Sequence, residues 1–242
     1  MTTAMTTFSQ TYYAQYGREC LASLVKHWPG KIVAYYEYEP PRDFADRVEY
    51  RDLMEQEDLA HFLKWTSMVP LLQGLLPNGN YHYKFNANKF ARKVFAISDL
   101  AKDGEPFFFL GADTRALKDV PEEWLNGLID GKQGCFLLRR HMDMHVESDF
   151  AGYDPRNKRM RKMLETYREM FINGSFLELD GWHDCVALDR LLDAYQLLPE
   201  INNLSDGVKG EGKLGYNVWP NTVLAEYFVH LKGKLKKGGI AA

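Results

Sequence analysis

The sequence predicts an α/β fold with a central, mostly parallel sheet flanked by helices. Three features lead there. Near the N-terminus an apolar threonine-rich run, a helical stretch, a Pro-Gly turn and a second apolar run follow in order, the start of a βαβ unit. Residues 106–111 (PFFFLG) are too short and too aromatic for anything but a buried strand. Further along, strand-like runs at 134–139 and 141–150 alternate with stretches of helical spacing.

Taken in order, residues 2–9 form a first strand rich in β-branched threonine. Residues 12–28 have helical spacing through Tyr13, Tyr16, Cys20 and Leu24, and Pro29-Gly30 stops them. Residues 31–37 (KIVAYYE) are a second strand, and 38–47, with Pro40-Pro41, are loop. A helix is expected over 55–72 and a turn over 76–81. Residues 85–100 make an amphipathic helix with Phe90, Val94, Phe95 and Ile97 toward the core. The 106–111 strand then delivers Ala112-Asp113-Thr114 at its carboxyl end, where open parallel sheets place their ligands. A short helix over 121–129 precedes the two later strands. In 141–150, Met142, Met144 and Val146 share one face, while His141, Asp143, His145 and Glu147 share the other. Helices are expected over 155–171, 182–195 and 221–231, with a flexible loop over 207–215.

At 242 residues, 45% hydrophobic and 26% charged, the chain can bury one substantial core. A net charge of −3 gives no global attraction to nucleic acid or anionic membrane, although basic residues cluster at 156–162 (RNKRMRK) and 232–237. Cys20, Cys135 and Cys185 are widely spaced and suit a reducing cytoplasm better than a disulfide framework or zinc ribbon. No apolar run approaches the length of a membrane span, and no secretory leader is legible, so a cytoplasmic location is expected.

The most telling chemistry is His230-Leu-Lys-Gly233-Lys-Leu-Lys236, an H-x-x-G-x-x-K pattern, together with Asp113. A carboxylate oxygen and an imidazole nitrogen are a ligand mix suited to a divalent ion such as Mn²⁺ or Mg²⁺. Gly233 lets the backbone approach phosphates closely, and Lys236 neutralises a leaving diphosphate. The competing reading is a basic tail that adds solubility. The His141, Asp143, His145, Glu147 face offers a rival metal site. Ligands two apart on a strand lie roughly 6.5–7 Å apart, however, which suits a wet surface or acceptor cleft better. GEGKLG at 210–215 follows no strand and is discounted as a dinucleotide loop. Cys185 beside His183 is discounted as a thiol nucleophile, since adjacent helical positions do not face each other.

Four segments in order, FFFLGADTRALKDVP, ESDFAGYD, DGWHDCVALD and HLKGKLK, resemble the GT-A nucleotide-diphospho-sugar glycosyltransferases, nearest the small group often encoded by bacteriophages. The resemblance implies a single GT-A (Rossmann-like) domain over 1–242, with a nucleotide-binding half (1–115) and an acceptor half (116–242). It implies a nucleotide-sugar donor such as a UDP-sugar, with Asp113 and His230 on the metal and Gly233 and Lys236 on the diphosphate. Thr7, Phe8 and Ser9, ending the first strand, are placed to grip base and ribose. Lys89 and Arg92 can reach the same nucleotide, with a solvated helix face as the alternative. Asp184, in the first turn of its helix, is the candidate carboxylate near the acceptor or the anomeric carbon, and Asp149 is the next. The first aspartate of the family's D-x-D is Gly111 here, so restoring it is expected to tighten Mn²⁺ binding. The missing aspartate also leaves room for a non-catalytic binding protein. Phage relatives point to a 5-hydroxymethylated pyrimidine in duplex DNA as acceptor, tracked by Arg156, Lys162 and the residues between, with the C-terminal lysines. A saccharide, protein or small molecule is the competing choice.

Overall fold

A computed structural model describes residues 2–138, 145–206, 208 and 218–231. The chain runs β1 (Thr3–Thr7), α1 (Gln10–Tyr12), a π-helical turn (Tyr13–Gly17), α2 (Arg18–His27), β2 (Ile32–Tyr36), β3 (Val48–Asp52) and α3 (Glu57–Ser67). Then come α4 (Ala87–Leu100), β4 (Phe107–Leu110), β5 (Thr114–Ala116), α5 (Glu122–Ile129), β6 (Gly134–Leu137) and β7 (Glu147–Tyr153). It continues with α6 (Lys158–Asn173), α7 (Asp184–Ala194), β8 (Ile201–Asn203) and β9 (Phe228–His230).

Seven strands form one sheet in the order β3-β2-β1-β4-β7-β6-β8, and β5 pairs with β9 in a separate ribbon. Within the seven-stranded sheet the pairings are parallel except those of β7, which runs antiparallel to both β4 and β6; the β5–β9 ribbon is antiparallel. This one reversal brings the start of β7 to the edge where β1, β2 and β4 end, with Leu110 opposite Phe150.

The run of three phenylalanines in β4 follows from burial on both faces. Phe107 and Phe109 pack with Met5, Val33 and Tyr35 under α3, α4, α6 and α7. Phe108 and Leu110 pack with Ala4, Ile32 and Ala34 under α2, α5 and the segment reaching Phe228. A strand covered on both sides alternates between two cores and needs no polar residue. Each buried phenylalanine contributes about 1.5–3 kcal/mol.

The expected α/β fold is present, with four local differences. The helix expected over 55–72 stops at Ser67, because Val69 precedes Pro70 and is extended (φ −116°, ψ 102°). The residues expected to form a helix over 221–231 instead make short 3₁₀ turns and then β9, whose partner β5 lies far away in sequence. The strands β3, β5 and β8 were not expected; β3 (VEYRD) is a charged edge strand, and the other two have three residues each. The strand expected over 141–150 is β7, shifted to 147–153, and residues 141–144 lie outside the described residues, as do 209–215 of the expected loop.

Gly30 allows the turn into β2. A Cβ there would stand 2.0 Å from the carbonyl oxygen of Thr2, whose backbone cannot give way without breaking the start of β1. Gly127, inside α5, has open space around it. Thermal unfolding is expected to show Gly30→Ala lowering the melting temperature and Gly127→Ala raising it, the latter by about 0.5–1 kcal/mol of helix preference.

Candidate active site

The carboxyl ends of β1, β2 and β4, the start of β7 and the first half of α4 enclose a cleft of about 770 Å³, within the range of small-molecule sites. Thr7, Phe8 and Ser9 line it, as do Lys89, Arg92, Asp113 and Asp149. Ser9 also caps the first helix, its hydroxyl accepting from the Tyr12 amide at 3.3 Å. The π-helical turn that follows carries Tyr16, which stacks on Tyr12 at 5.4 Å between ring centroids; both line the cleft. Single π turns recur at functional sites. The Lys89 ammonium lies 5.2 Å from the Tyr12 ring centroid. Within the cleft wall the Arg92 guanidinium pairs with the buried Glu37 carboxylate at 2.8 Å and bonds Asn88. Phe90, expected in the core, is half-buried in the cleft wall.

Asp113 and His230 meet because β5 pairs with β9: Thr114 is opposite His230, and the Leu231 amide donates to the Asp113 carbonyl at 2.9 Å. The His230 Nε2 lies 3.4 Å from an Asp113 carboxylate oxygen and 3.4 Å from one of Asp149. The imidazole is 1% exposed, beneath Trp219. Burial pulls its pKa down, but the hydrogen bond to Asp113 and the charge of Asp149 outweigh this and leave it raised.

Gly111 decides how close these carboxylates come. Its amide donates to the Asp149 carbonyl at 2.8 Å, and a Cβ there would lie 2.9 Å from an Asp113 carboxylate oxygen and 3.3 Å from the Asp149 Cβ. Asp149 therefore stands against the space that a side chain at 111 would enter. A new aspartate would enter a space bounded by the end of the Asp113 side chain and by Asp149, one of which must shift to admit it. Two carboxylates and one imidazole form a hard oxygen–nitrogen set that fits Mn²⁺ or Mg²⁺.

Behind the cleft sits a buried ion-pair network. Lys93, one helical turn after Lys89, places its ammonium 2.7 Å from Asp184, 3.1 Å from Asp149 and 2.9 Å from the Ser148 hydroxyl. Burial opposes charging Lys93, but the two carboxylates raise its pKa well above the usual lysine value. Burial pushes the Asp184 carboxyl up, and Lys93 and His183 more than reverse this, leaving it below the usual carboxylate range. Asp184 is 1% exposed and is not part of the cleft wall. The structure thus places this carboxylate behind Lys93, where it holds the ammonium. The ligand atoms of His183, Asp184 and Cys185 lie within 4.8 Å of one another, but Lys93 already supplies the cation there and would repel a metal. Desolvation pushes the pKa of the half-buried Cys185 thiol well above its ordinary value.

Gly233, Lys236, His141 and Asp143 lie outside the described residues. His145, from the rival polar face, pairs with Asp189 at 3.0 Å. The basic run does not border the cleft. Asp149 and Asp154 lie at opposite ends of β7, about 17 Å of extended chain apart, and α6 begins beyond Asp154. Three of its cations are paired: Arg156 with Asp154 at 2.7 Å, Arg159 with Glu200 at 2.7 Å, and Lys162 with Glu165 at 3.1 Å. The lysines at 232–237, the other part of the expected basic surface, lie outside the described residues. Sequence reasoning missed Lys93, Glu37 and Tyr12. The i, i+4 spacing from Lys89 to Lys93 was the available signal for the lysine.

No protein-family model matches the chain, and neither does any curated protein. Among solved structures, the glycosyltransferase GlyE of Streptococcus pneumoniae TIGR4 aligns with a TM-score of 0.53 at 13% identity, over 98% of this chain and 56% of that one. Mouse xyloside xylosyltransferase 1 aligns at 0.49 and 12% identity, over 84% of this chain and 85% of that one. A glycosyltransferase involved in glycosylation of the major capsid of PBCV-1 aligns at 0.48 and 12% identity, over 98% and 97%. All three are glycosyltransferases, and the likeness to GlyE shows a shared fold. The seven-stranded sheet is thus the GT-A architecture that the sequence resemblance implies.

Removing one partner from a buried pair leaves the other charge uncompensated, so Asp184→Ala is expected to cost about 3–5 kcal/mol in denaturant unfolding. The double variant Asp184→Ala/Lys93→Met should recover part of that loss. Because the folded-state pKa of Asp184 lies below its unfolded value, its contribution is present above about pH 4 and is lost as pH falls through the folded value. Asp184→Asn should flatten that acid limb of a stability–pH profile.

Proposed function

We propose that this chain is a glycosyltransferase that moves a sugar from a nucleotide-diphospho-sugar to an acceptor hydroxyl. The observation that carries the reading is the convergence of Asp113, Asp149 and His230 at the carboxyl edge of the sheet, beside a cleft large enough for a nucleotide, in a fold shared with a glycosyltransferase. Thr7, Phe8 and Ser9 hold base and ribose with Tyr12, and Lys89 faces the same nucleotide. Asp113, His230 and Asp149 hold Mn²⁺ or Mg²⁺, Asp149 supplying the carboxylate that Gly111 lacks. The ion, when bound, supplies positive charge against the diphosphate as its bond to the sugar breaks. Gly233 lets the backbone approach that diphosphate, and Lys236 neutralises it as it leaves.

Asp184 is a positioning residue in this scheme. It fixes the Lys93 ammonium, which in turn fixes Asp149. With Asp184 held in this way the case for it as an inverting base falls, and the H-x-x-G-x-x-K likeness favours retention. A saccharide, protein or small-molecule acceptor is favoured over duplex DNA, because the basic start of α6 follows the end of β7 that lies away from Asp149.

The test is to incubate the protein with a panel of UDP- and GDP-sugars and Mn²⁺ and measure released nucleotide diphosphate. Release from at least one donor is expected, and none from any would sink the reading. In calorimetry, Asp113→Ala and His230→Ala should each lose Mn²⁺-dependent UDP binding, with turnover falling about 10²–10³-fold. Unchanged affinity in both would remove the metal assignment. Gly111→Asp is expected to weaken Mn²⁺-dependent UDP binding, by displacing Asp113; tighter binding would show instead that the carboxylates yield to the new side chain.

A further inference from the structure

A chain of rings leads out of the cleft. Phe90 lines the cleft, and its ring centroid lies 5.7 Å from that of His183. His183 in turn lies 5.8 Å from Tyr83 and 5.9 Å from His145. Tyr83 is 52% exposed and stacks nearly parallel on His82, at 13° between planes. His145 opens onto a second cavity of about 630 Å³. The rings that flank the donor cleft and the second cavity are thus held together by His183, which is itself buried, and Tyr83 is the exposed ring among them. An exposed ring packed against such a cluster is a candidate contact for a ligand.

We propose that Tyr83, Phe90 and His145, positioned by the buried His183, form the acceptor subsite and that it takes a neutral saccharide. The inference rests on the transferase reading above, whose donor cleft it adjoins. A pyranose presents a face of C–H groups that meets the electron-rich face of an aromatic ring. Its hydroxyls point outward from the ring edge and donate to carboxylates, which only accept. The second cavity supplies those acceptors: four carboxylates line it, Glu178, Asp180, Asp189 and Asp193, against a single arginine, Arg190. The same charge disfavours a nucleic acid, whose phosphates bind through Lys and Arg. Aromatic stacking alone would suit a nucleobase as well as a sugar; the surrounding charge favours the sugar.

The experiment is saturation-transfer NMR on the full chain with maltose, cellobiose, lactose and xylobiose, and separately with a short single-stranded DNA, each with Mn²⁺ and UDP present. Calorimetry measures UDP affinity on the same samples. At least one disaccharide is expected to bind, with Tyr83→Ala weakening it about fivefold or more and Tyr83→Phe restoring it. UDP affinity should be the same in all three proteins. Binding of UDP with no response from any disaccharide, disaccharide binding indifferent to Tyr83→Ala, or binding of the DNA through Tyr83 would each overturn the subsite. Failure of the wild-type protein to bind UDP would count against the transferase reading instead. Disaccharide binding that depends on Tyr83 would still support the subsite in that case.

Discussion

Two carboxylates brought together at the end of β4 and the start of β7 are the constraint on which the rest of the site depends. Asp113 and Asp149 converge on one imidazole nitrogen, and like charges at that range repel unless cations stand beside them. The protein supplies two such groups from opposite sides. His230 arrives through the β5–β9 ribbon, and Lys93 arrives from α4 with Asp184 as its counter-ion. Both are held toward their charged forms by the carboxylates they face, against the pull of burial. Gly111 completes the arrangement by leaving out a Cβ that would stand 2.9 Å from an Asp113 carboxylate oxygen.

The reversal of β7 makes this possible and also settles what lies far away. An antiparallel strand next to β4 brings its first residues to the ligand edge and carries its last to the opposite edge. Asp149 and the basic start of α6 are thus separated by the length of the strand although they are neighbours in sequence. Later in α6, Tyr167 returns to the site and donates a hydrogen bond to the Asp184 carbonyl at 2.8 Å. The same helix thus also supports the ion-pair network from behind.

Local pattern made the main layers legible in the sequence. The β-branched and aromatic strands β1, β2 and β4, the Pro-Gly stop and the spacing of α4 each announce themselves within a few residues. The same holds for strand-end positions: Thr7, Phe8, Ser9 and Asp113 line the cleft because parallel strands end there. Strands formed only by a distant partner stayed hidden. β9 reads as helix until β5 pairs with it from more than a hundred residues away, and the charged β3 has no apolar signature. Burial was the other blind spot. A carboxylate in the first turn of a helix looks exposed in sequence, and only the packing of Lys93 and Ser148 against Asp184 takes it out of solvent. The closeness of Asp149 to Gly111 depends on strand register, which no spacing within either segment reveals.

Pulsed EPR of the protein loaded with Mn²⁺ and UDP tests the central claim most directly, because it reports the atoms bonded to the ion. Nitrogen modulation from one imidazole is expected in the wild-type protein, and it should vanish in His230→Gln while the fold is kept. Bound Mn²⁺ with no nitrogen ligand, or with nitrogen modulation unchanged in His230→Gln, would contradict the convergence of Asp113, Asp149 and His230 on one ion.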